Sequence, residues 1–180
     1  IRQRISEDLS GVIFEADIKI FVRVYSTPLR LILIGAVHVS QALIPMATLL
    51  GFEVTVIDPR SSFASDERFP DVTMMTDWPD EAIRKLKPDP HTAVVTLTHD
   101  PKLDDPALKE VLPTNAFYIG SLGSKRTHAS RLERLRAEGI DDETLSRVHA
   151  PVGLHLGGRR PAEIALSIMA EIIQTLRLTA

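Results

Sequence analysis

Short apolar segments alternate with amphipathic helical segments from Leu29 to Leu178, and this alternation constrains the fold more than any other feature of the chain. The apolar segments, such as Leu31 to Ile34, are nearly continuous in Val, Ile and Leu, whereas a half-exposed strand would alternate apolar with polar residues. Strands that are apolar on both faces need cover on both faces, and the intervening helices can supply it. The sequence therefore predicts an α/β fold, a Rossmann-like doubly wound and mostly parallel sheet with helices on both faces.

The boundaries of these elements follow from local signals. Predicted strands cover residues 31–34, 54–57, 73–75, 93–97, 116–119 and 152–156, and predicted helices cover 39–50, 79–86, 106–112, 125–138, 141–148 and 161–178. The charge run from Arg131 to Glu138 predicts a solvated helix face with ion pairs four residues apart.

The first 28 residues have a different pattern. Gly11 to Glu15 and Ile18 to Tyr25 predict two strands around a tight turn, and Ile1 to Ser10 has the pattern of a helix end. We expect residues 1–28 to be the remnant of a preceding domain or a linker, and residues 29–180 to form the Rossmann-like domain.

Composition narrows the class of partner. A net charge of -3 gives no basis for nucleic-acid binding, and no apolar run is long enough for a membrane span. The chain has no cysteine, which excludes disulfides, thiolate metal sites and cysteine catalysis and suits a cytoplasmic protein.

The stretch from Ala116 to Arg131 predicts an anion-binding site. Gly120 and Gly123 allow a sharp turn after a strand, and Ser124 is a good N-cap for the helix that follows. Free N–H groups at that helix start would lie beside Lys125 and Arg126, so the helix dipole and the side-chain charges favour the same phosphate or carboxylate. The alternative is an ordinary turn with solvated basic residues.

The loop from Gly35 to His38 occupies the place of a dinucleotide-binding fingerprint but keeps only its first glycine. Val37 stands where the second glycine lets a pyrophosphate approach the backbone, and Ser40 stands where the third packs helix on strand. Asp58 lies 23 residues after Gly35, near the usual position of the ribose-binding acid. Asp-Pro at a strand end is also ordinary turn chemistry, so both interpretations of Asp58 stay open.

Thr98, His99 and Asp100 follow another predicted strand. A His beside an Asp resembles part of a catalytic or metal-binding set, but a capping role for Asp100 before Pro101 is the simpler interpretation. His38, His99 and His128 could converge on one crevice. No acidic partner or His-x-x-x-His spacing accompanies them, so no metal site and no catalytic residue are predicted.

Several motifs occur together in one order: Leu-Ile-Leu-Ile-Gly-Ala-x-His-Val, Val-Ile-Asp-Pro-Arg, Thr-His-Asp, Tyr-Ile-Gly-Ser-Leu-Gly-Ser-Lys-Arg-Thr-His, His-Ala-Pro-Val-Gly-Leu and Pro-Ala-Glu-Ile-Ala-Leu-Ser-Ile. In this order they resemble the C-terminal domain of the XdhC/CoxI family of xanthine dehydrogenase accessory proteins. The resemblance runs from about Leu29 to Leu178 and is most specific from Tyr118 to His128. One departure is Val37, where the family usually has glycine.

The resemblance implies a function and a set of contacts. The family binds molybdenum cofactor, protects it during sulfuration and delivers it to molybdenum hydroxylases, from a Rossmann-type domain behind an N-terminal domain. The implied partner is the apo-enzyme of a molybdenum hydroxylase, with a cysteine desulfurase and a homodimer as further candidates. The expected cofactor-binding residues are Gly35, Ala36, Val37, His38, Asp58, Thr98, His99, Asp100, Gly120, Ser121, Gly123, Ser124, Lys125 and Arg126.

Two other functions are weighed against this one. A small NAD(P)-dependent oxidoreductase would use the strand-glycine-helix starts and Asp58, but Val37 and Ser40 and the lack of a partnered proton donor count against it. A regulatory or interaction domain with an empty Rossmann pocket is the third. The sequence does not distinguish the mononucleotide from the dinucleotide form of the cofactor.

Overall fold

The computed structural model describes residues 10–15, 18–25, 27–60, 62–63, 68–70 and 72–178. The strands are β1 (Gly11–Glu15), β2 (Ile18–Val22), β3 (Leu29–Ile34), β4 (Phe52–Ile57), β5 (Thr73–Met75), β6 (Thr92–Thr96), β7 (Tyr118–Ser121) and β8 (Val148–His149). The helices are α1 (His38–Leu49), α2 (Pro79–Leu86), α3 (Pro101–Val111), α4 (Lys125–Ala137), α5 (Asp142–Leu145) and α6 (Pro161–Leu178). The helix end predicted before Ser10 and the turn predicted at Ala16 and Asp17 lie outside the described residues.

Six of the strands form one parallel sheet, which confirms the predicted fold class. Its order is β5-β4-β3-β6-β7-β8, and every neighbouring pair is parallel. Counted from β3, this is the doubly wound order 3-2-1-4-5-6. Strands β1 and β2 pair only with each other, antiparallel, as a separate two-stranded sheet within the described part of the chain.

The two faces of the sheet carry separate cores, because side chains alternate along each strand. Leu31 and Leu33 of β3 point to the face covered by α1 and α6, where they join Leu43 and Ile168 in one buried cluster. Ile32 and Ile34 point to the opposite face, whose buried cluster includes residues of α2, α3 and α4. This two-sided cover is what the continuous apolar strands predicted.

One predicted strand is wrong. Residues 152–156 are irregular, and the sixth strand of the sheet is the shorter β8 just before them. Val152 N donates to Ser121 O of β7 at 3.3 Å, but the next two amides bond to α6: Gly153 N donates to Glu171 Oε2 at 2.7 Å and Leu154 N donates to Ser167 O at 3.1 Å. After Val152 the segment therefore lies along α6 instead of extending the sheet.

Helix α3 begins five residues earlier than predicted. Asp100 caps it by accepting from Lys102 N at 2.9 Å, and Pro101 occupies the first helical position. Proline is favoured there because its missing N–H has no intrahelical partner. Pro106, which suggested a helix start in the sequence, lies inside the helix instead.

Candidate functional site

The loops that follow β3, β4, β6 and β7 lie side by side at the carboxyl edge of the sheet. Backbone hydrogen bonds continue the ladder past the strand ends, from Gly35 N to Ile57 O at 2.8 Å, from Leu97 N to Ile34 O at 2.9 Å and from Leu122 N to Thr96 O at 2.9 Å. These bonds place the four loops at one edge of the sheet. In doubly wound folds this edge is where ligands bind, at the point where strand order reverses.

The reversal point lies between β3 and β6, and the loops after these strands touch. Gly35 has φ +113°, and a Cβ built on it would lie 2.7 Å from Thr98 Cγ2. Glycine is needed here both for the backbone conformation and for this approach. Gly35 and Thr98 were predicted to line one pocket, and the structure brings them together.

Asp58 lies at the same edge but is already fully bonded. Its side chain is completely buried; Oδ1 accepts from Arg60 N at 3.0 Å and Arg60 Nε at 2.9 Å, and Oδ2 accepts from Ala36 N at 2.9 Å and Arg60 Nη2 at 2.8 Å. A carboxylate offers about four acceptor positions, so none is left for a ribose hydroxyl. This geometry counts against the NAD(P) alternative.

The ionised form of Asp58 is favoured by these bonds. Burial alone would raise the pKa of Asp58, but the hydrogen bonds from the Arg60 side chain and from the amides of Ala36 and Arg60 outweigh burial and hold the pKa below its usual value. Asp58 therefore works as an anchor that joins the β4 loop to the β3 loop.

Helix α1 starts without a polar side chain at its N-cap. Val37 occupies that position and makes no capping hydrogen bond, and its half-buried side chain packs against the core on the α1 side of the sheet. His38, the first helical residue, is exposed. Ser40 is buried and donates to Gly35 O, so its hydroxyl closes the turn and does not face a ligand.

The loop after β6 is held by local hydrogen bonds. Thr98 Oγ1 donates to Asp104 Oδ1 at 2.6 Å and accepts from Asp100 N at 3.1 Å. Asp100 is the N-cap of α3, which is the simpler of the two interpretations that the sequence left open. His99 is exposed, with φ +61°.

Helix α4 starts as predicted, with a capped turn and two exposed cations. Gly123 has φ +146°, and Ser124 Oγ accepts from Thr127 N at 3.1 Å. Lys125 and Arg126 are exposed, and their backbone amides have no acceptor among the described residues. The start of α4 thus offers unbonded N–H groups and two positive charges in one place.

Gly120 and Ser121 lie below this turn, buried within β7. A Cβ on Gly120 would come within 2.6 Å of Val152 Cγ2 and 2.8 Å of the Tyr118 ring, and Ser121 Oγ lies 2.5 Å from Thr96 Oγ1. The structure therefore places these two predicted contacts in the packing beneath the site and brings Gly123 to Arg126 to its surface.

A cavity of about 790 Å³ opens beside the start of α4. Gly123 and Lys125 line it, together with the irregular segment from Pro151 to Arg159. The expected contact residues omitted this segment. The signal for it was the glycine-rich, basic composition just before α6.

The start of α6 differs from that of α4 because a carboxylate of its own occupies it. Glu163 Oε2 accepts from Arg159 N at 2.8 Å and from Arg160 N at 3.0 Å. These hydrogen bonds hold the pKa of Glu163 below its usual value. An external anion would compete with Glu163 for these two amides.

A partly buried polar network fixes the segment that lines the large cavity. Besides Gly153 N, Glu171 Oε2 accepts from Tyr118 Oη at 2.5 Å, and Glu171 Oε1 lies 3.4 Å from His149 Nδ1. Burial, followed by the bond to Glu171, raises the pKa of Tyr118. Burial alone would raise the pKa of Glu171, but the hydrogen bonds from His149, Tyr118 and Gly153 N outweigh burial and hold the pKa below its usual value. An ionised Glu171 thus ties α6 to β7, β8 and the cavity wall.

The predicted solvated face of α4 is wrong at its first residue. Arg131 is 2% exposed, and its Nη2 donates to Leu122 O at 3.0 Å beneath the turn. His128 is half-buried; burial, and then the nearby Arg131 charge, lower its pKa.

Among the described residues no group of three His, Asp or Glu side chains is placed to hold a metal ion. In the same part of the chain, none of the helices combines the length and the apolar character that a membrane span needs.

The sheet order and these helix starts define the class: a Rossmann-type domain whose carboxyl edge presents open amides and cations beside a large cavity. Residues 31–172 match the family described as the XdhC Rossmann domain. The chain therefore belongs to the XdhC Rossmann domain family.

Two relatives of this chain have names that state a function. A probable xanthine dehydrogenase subunit from Bacillus subtilis is 33% identical over 168 residues, which are 93% of this chain and 49% of that protein. The molybdenum cofactor insertion chaperone PaoD from Escherichia coli is 39% identical over 84 residues, which are 47% of this chain and 26% of that protein.

A solved structure extends the comparison to the fold. The crystal structure of a xanthine dehydrogenase from Bacillus halodurans is 33% identical and superposes with a TM-score of 0.75, over 87% of this chain and 45% of that one. The chain spans half or less of the length of each of these three proteins.

Proposed function

We propose that this chain binds molybdenum cofactor at the start of α4 and serves in the maturation of a xanthine dehydrogenase-type molybdenum hydroxylase. Family membership and the relative named as a molybdenum cofactor insertion chaperone support the proposal. The observation that carries it is the open helix start with Lys125 beside the 790 Å³ cavity. That volume falls within the range of about 300–1,000 Å³ that is typical of small-molecule sites.

The chemistry of the site suits such a ligand. Molybdenum cofactor is a pterin with a phosphate, or a diphosphate in its dinucleotide form. The unbonded amides of α4 and the Lys125 ammonium group favour that phosphate through the helix dipole and through charge. Leu122, Val152 and Ile164 give the cavity apolar wall against which a ring system can pack.

The chain's own residues would bind and shield the cofactor without transforming it. Gly123 lets the backbone turn towards the ligand, Lys125 pairs with the phosphate, and Arg159 lines the same cavity. Gly35 to His38 and Thr98 to Asp100 would border the site from the neighbouring loops. In this proposal no residue has a catalytic role, and the recipient is the apo-enzyme of a molybdenum hydroxylase. A cysteine desulfurase and a second copy of the chain stay predictions from the resemblance.

Two titrations test the proposal. The protein is titrated with molybdenum cofactor and separately with NADH, and bound pterin or nicotinamide is measured by fluorescence after gel filtration. We expect the cofactor to bind and NADH to stay unbound at micromolar concentration. Binding of NADH alone would favour the oxidoreductase, and binding of neither would favour an interaction domain.

A transfer assay tests the maturation role. The cofactor-loaded protein is mixed with the apo-enzyme of a molybdenum hydroxylase, and the recovery of hydroxylase activity is followed. Recovery above that given by an equal amount of free cofactor is expected. Equal recovery would contradict a role in delivery.

A further inference from the structure

A second cavity, of about 240 Å³, lies between the starts of α3 and α4. It is on another side of α4 from the large cavity, since Lys125 lines the large one and Arg126 lines this one. Its charged walls are Asp104 and Asp105 from α3 and Arg126, Arg131 and Arg134 from α4. The volume is several times the roughly 30 Å³ that one water molecule occupies in the liquid.

Arg131 is buried in this wall with open hydrogen-bond donors. Its Nη2 donates to Leu122 O, but Nε and Nη1 are buried and have no acceptor among the described residues. Its Nη2 lies 3.8 Å from Asp104 Oδ2, which is too far for a hydrogen bond. A buried guanidinium with unpaired N–H groups is costly, so this geometry calls for an acceptor that the described chain does not supply.

The carboxylates of the cavity wall do not accept hydrogen bonds from Arg131 Nε or Nη1. Asp105 is hydrogen-bonded to Arg134, whose Nε and Nη2 donate to its carboxylate at 2.5 and 3.1 Å. Asp104 uses Oδ1 for Thr98, and its buried Oδ2 has no donor among the described residues. Burial raises the pKa of Asp104 against the opposing effects of Thr98 and Arg131. Arg131 Nε and Nη1 therefore lack acceptors, and Asp104 Oδ2 lacks a donor, among the described residues.

Arg126 adds a further charge at the rim. Its side chain is exposed and makes no ion pair with the described residues, and the unbonded amides at the start of α4 lie on the same turn. A tetrahedral oxyanion presents several acceptor oxygens to such a set. These oxygens are the kind of acceptor that Arg131 lacks.

We propose that this cavity binds a phosphoryl group, with Arg126 and Arg131 as its cationic partners. The ligand is either free phosphate or the phosphate of a larger monoester. The proposal stands without the cofactor function, because it rests on a different cavity and on different side chains.

The test compares phosphate binding in four forms of the chain by titration calorimetry, with chloride at matched ionic strength as the reference ion. Arg126→Ala should weaken phosphate binding at least about tenfold, because it removes a charge-assisted contact. Arg136→Ala is the control: it removes the same charge from an exposed position of the same helix, outside this cavity, and it should change binding less than about threefold. An equal loss in both variants would overturn the proposal.

Asp104→Asn gives a change of the opposite sign. The amide keeps an acceptor for Thr98 and replaces the unpaired oxygen by a donor, so phosphate should bind about threefold or more tightly. Unchanged or weaker binding by a folded Asp104→Asn protein would count against the assigned geometry. Because Arg126 is exposed and asparagine is isosteric with aspartate, neither variant depends on a disruptive core change.

Two ligands distinguish the sources of the phosphoryl group. Inorganic phosphate and a nucleoside monophosphate are titrated against the unchanged protein. Comparable binding of both would show that the cavity accepts the phosphate of a larger ester, whereas binding of inorganic phosphate alone would assign the site to the free anion. Failure of both to bind at millimolar concentration would overturn the proposal.

Discussion

Helices α1 and α4 both start directly after a strand and a glycine turn, yet the two starts are built differently. At α1 the N-cap is Val37 and the first helical residue is His38, whereas at α4 these positions hold Ser124 and Lys125. Both starts have the positive end of a helix dipole. The difference lies in the side chains, which supply a polar cap and cations at α4 only.

The neighbouring loops increase this contrast. Asp58, in the loop after β4, is hydrogen-bonded to the turn before α1. The same loop carries the cation Arg60, which donates three hydrogen bonds to Asp58. Lys125 and Arg126 make no ion pair with the described residues. The two helix starts therefore differ in unpaired positive charge, which is the feature on which the proposal for α4 depends.

The largest effect should come from removing the charges of α4. We expect Lys125→Ala with Arg126→Ala to weaken molybdenum cofactor binding at least about tenfold, because Lys125, which lines the large cavity, loses a charge-assisted bond of roughly 1.5–3 kcal/mol and Arg126 loses a charge at the same helix start. Cofactor titration measures the change. The control is Arg84→Ala with Lys85→Ala, which removes the same charge from the exposed end of α2. If both double variants bind the cofactor equally, α4 has no advantage over any cationic helix.

The next effect concerns the anchor beside α1. Asp58→Asn should lower the free energy of unfolding by about 2 kcal/mol at pH 7, because Arg60 loses a charged acceptor. The folded pKa of Asp58 is below its unfolded value, so its contribution is present above about pH 4 and is lost as the pH falls through the folded pKa. The gap between wild type and variant should therefore shrink below about pH 4 in urea denaturation.

A surface pair provides the reference for this measurement. Asp80 pairs with Arg84 four residues later on α2, in an exposed setting. Asp80→Asn should cost only about 0.3–0.5 kcal/mol. Equal costs at positions 58 and 80 would mean that the buried anchor contributes no more than a surface ion pair.

Val37 tests whether the first turn can be opened to a dinucleotide. Val37→Gly removes the side chain at the place where a pyrophosphate would approach, and we expect NADH to bind about tenfold more tightly than to wild type, a change of about 1.4 kcal/mol. Val37→Ala, which keeps the Cβ, should fall between the two. Micromolar binding of NADH by the wild-type protein would contradict the interpretation of Val37 as a block.

The smallest change would make α1 resemble α4. His38 is exposed at the first helical position, the place that Lys125 has in α4, so His38→Lys adds a cation to the α1 dipole. A charge at a helix end contributes about 0.3–1 kcal/mol, which corresponds to a twofold to fivefold gain in phosphate affinity at low salt. The gain should disappear at high ionic strength, and a gain that persists in salt would point to a cause other than charge.

Elements with strong local signals were predicted accurately. β5, α2 and α6 have the predicted bounds, and the two helices begin with Pro79 and Pro161 in the first helical position. Proline at the first position and a regular apolar repeat depend on neighbours within a few residues. Ser124 was predicted as a cap for the same reason, since its acceptor role needs only Thr127 N.

Predictions failed where the outcome depended on distant residues. Residues 152–156 have strand-like composition, but only Val152 N donates to a strand, at Ser121 O of β7, whereas Gly153 N and Leu154 N donate to α6. Arg131 has the sequence context of an exposed helix face, yet the packing of α3 and of the turn after β7 buries it. Neither partner is visible in the local pattern.

The sequence by itself determined the parallel α/β architecture, the family resemblance and the cationic start of α4, because apolar periodicity, capping and charge are properties of short segments. Only the tertiary structure decided that Asp58 is bonded to Arg60 and Ala36, and that Lys125 and Arg126 line different cavities. The free energy of a buried charge depends on which donors and acceptors surround it. Those groups come from loops that are far apart in the chain, and folding alone brings them together.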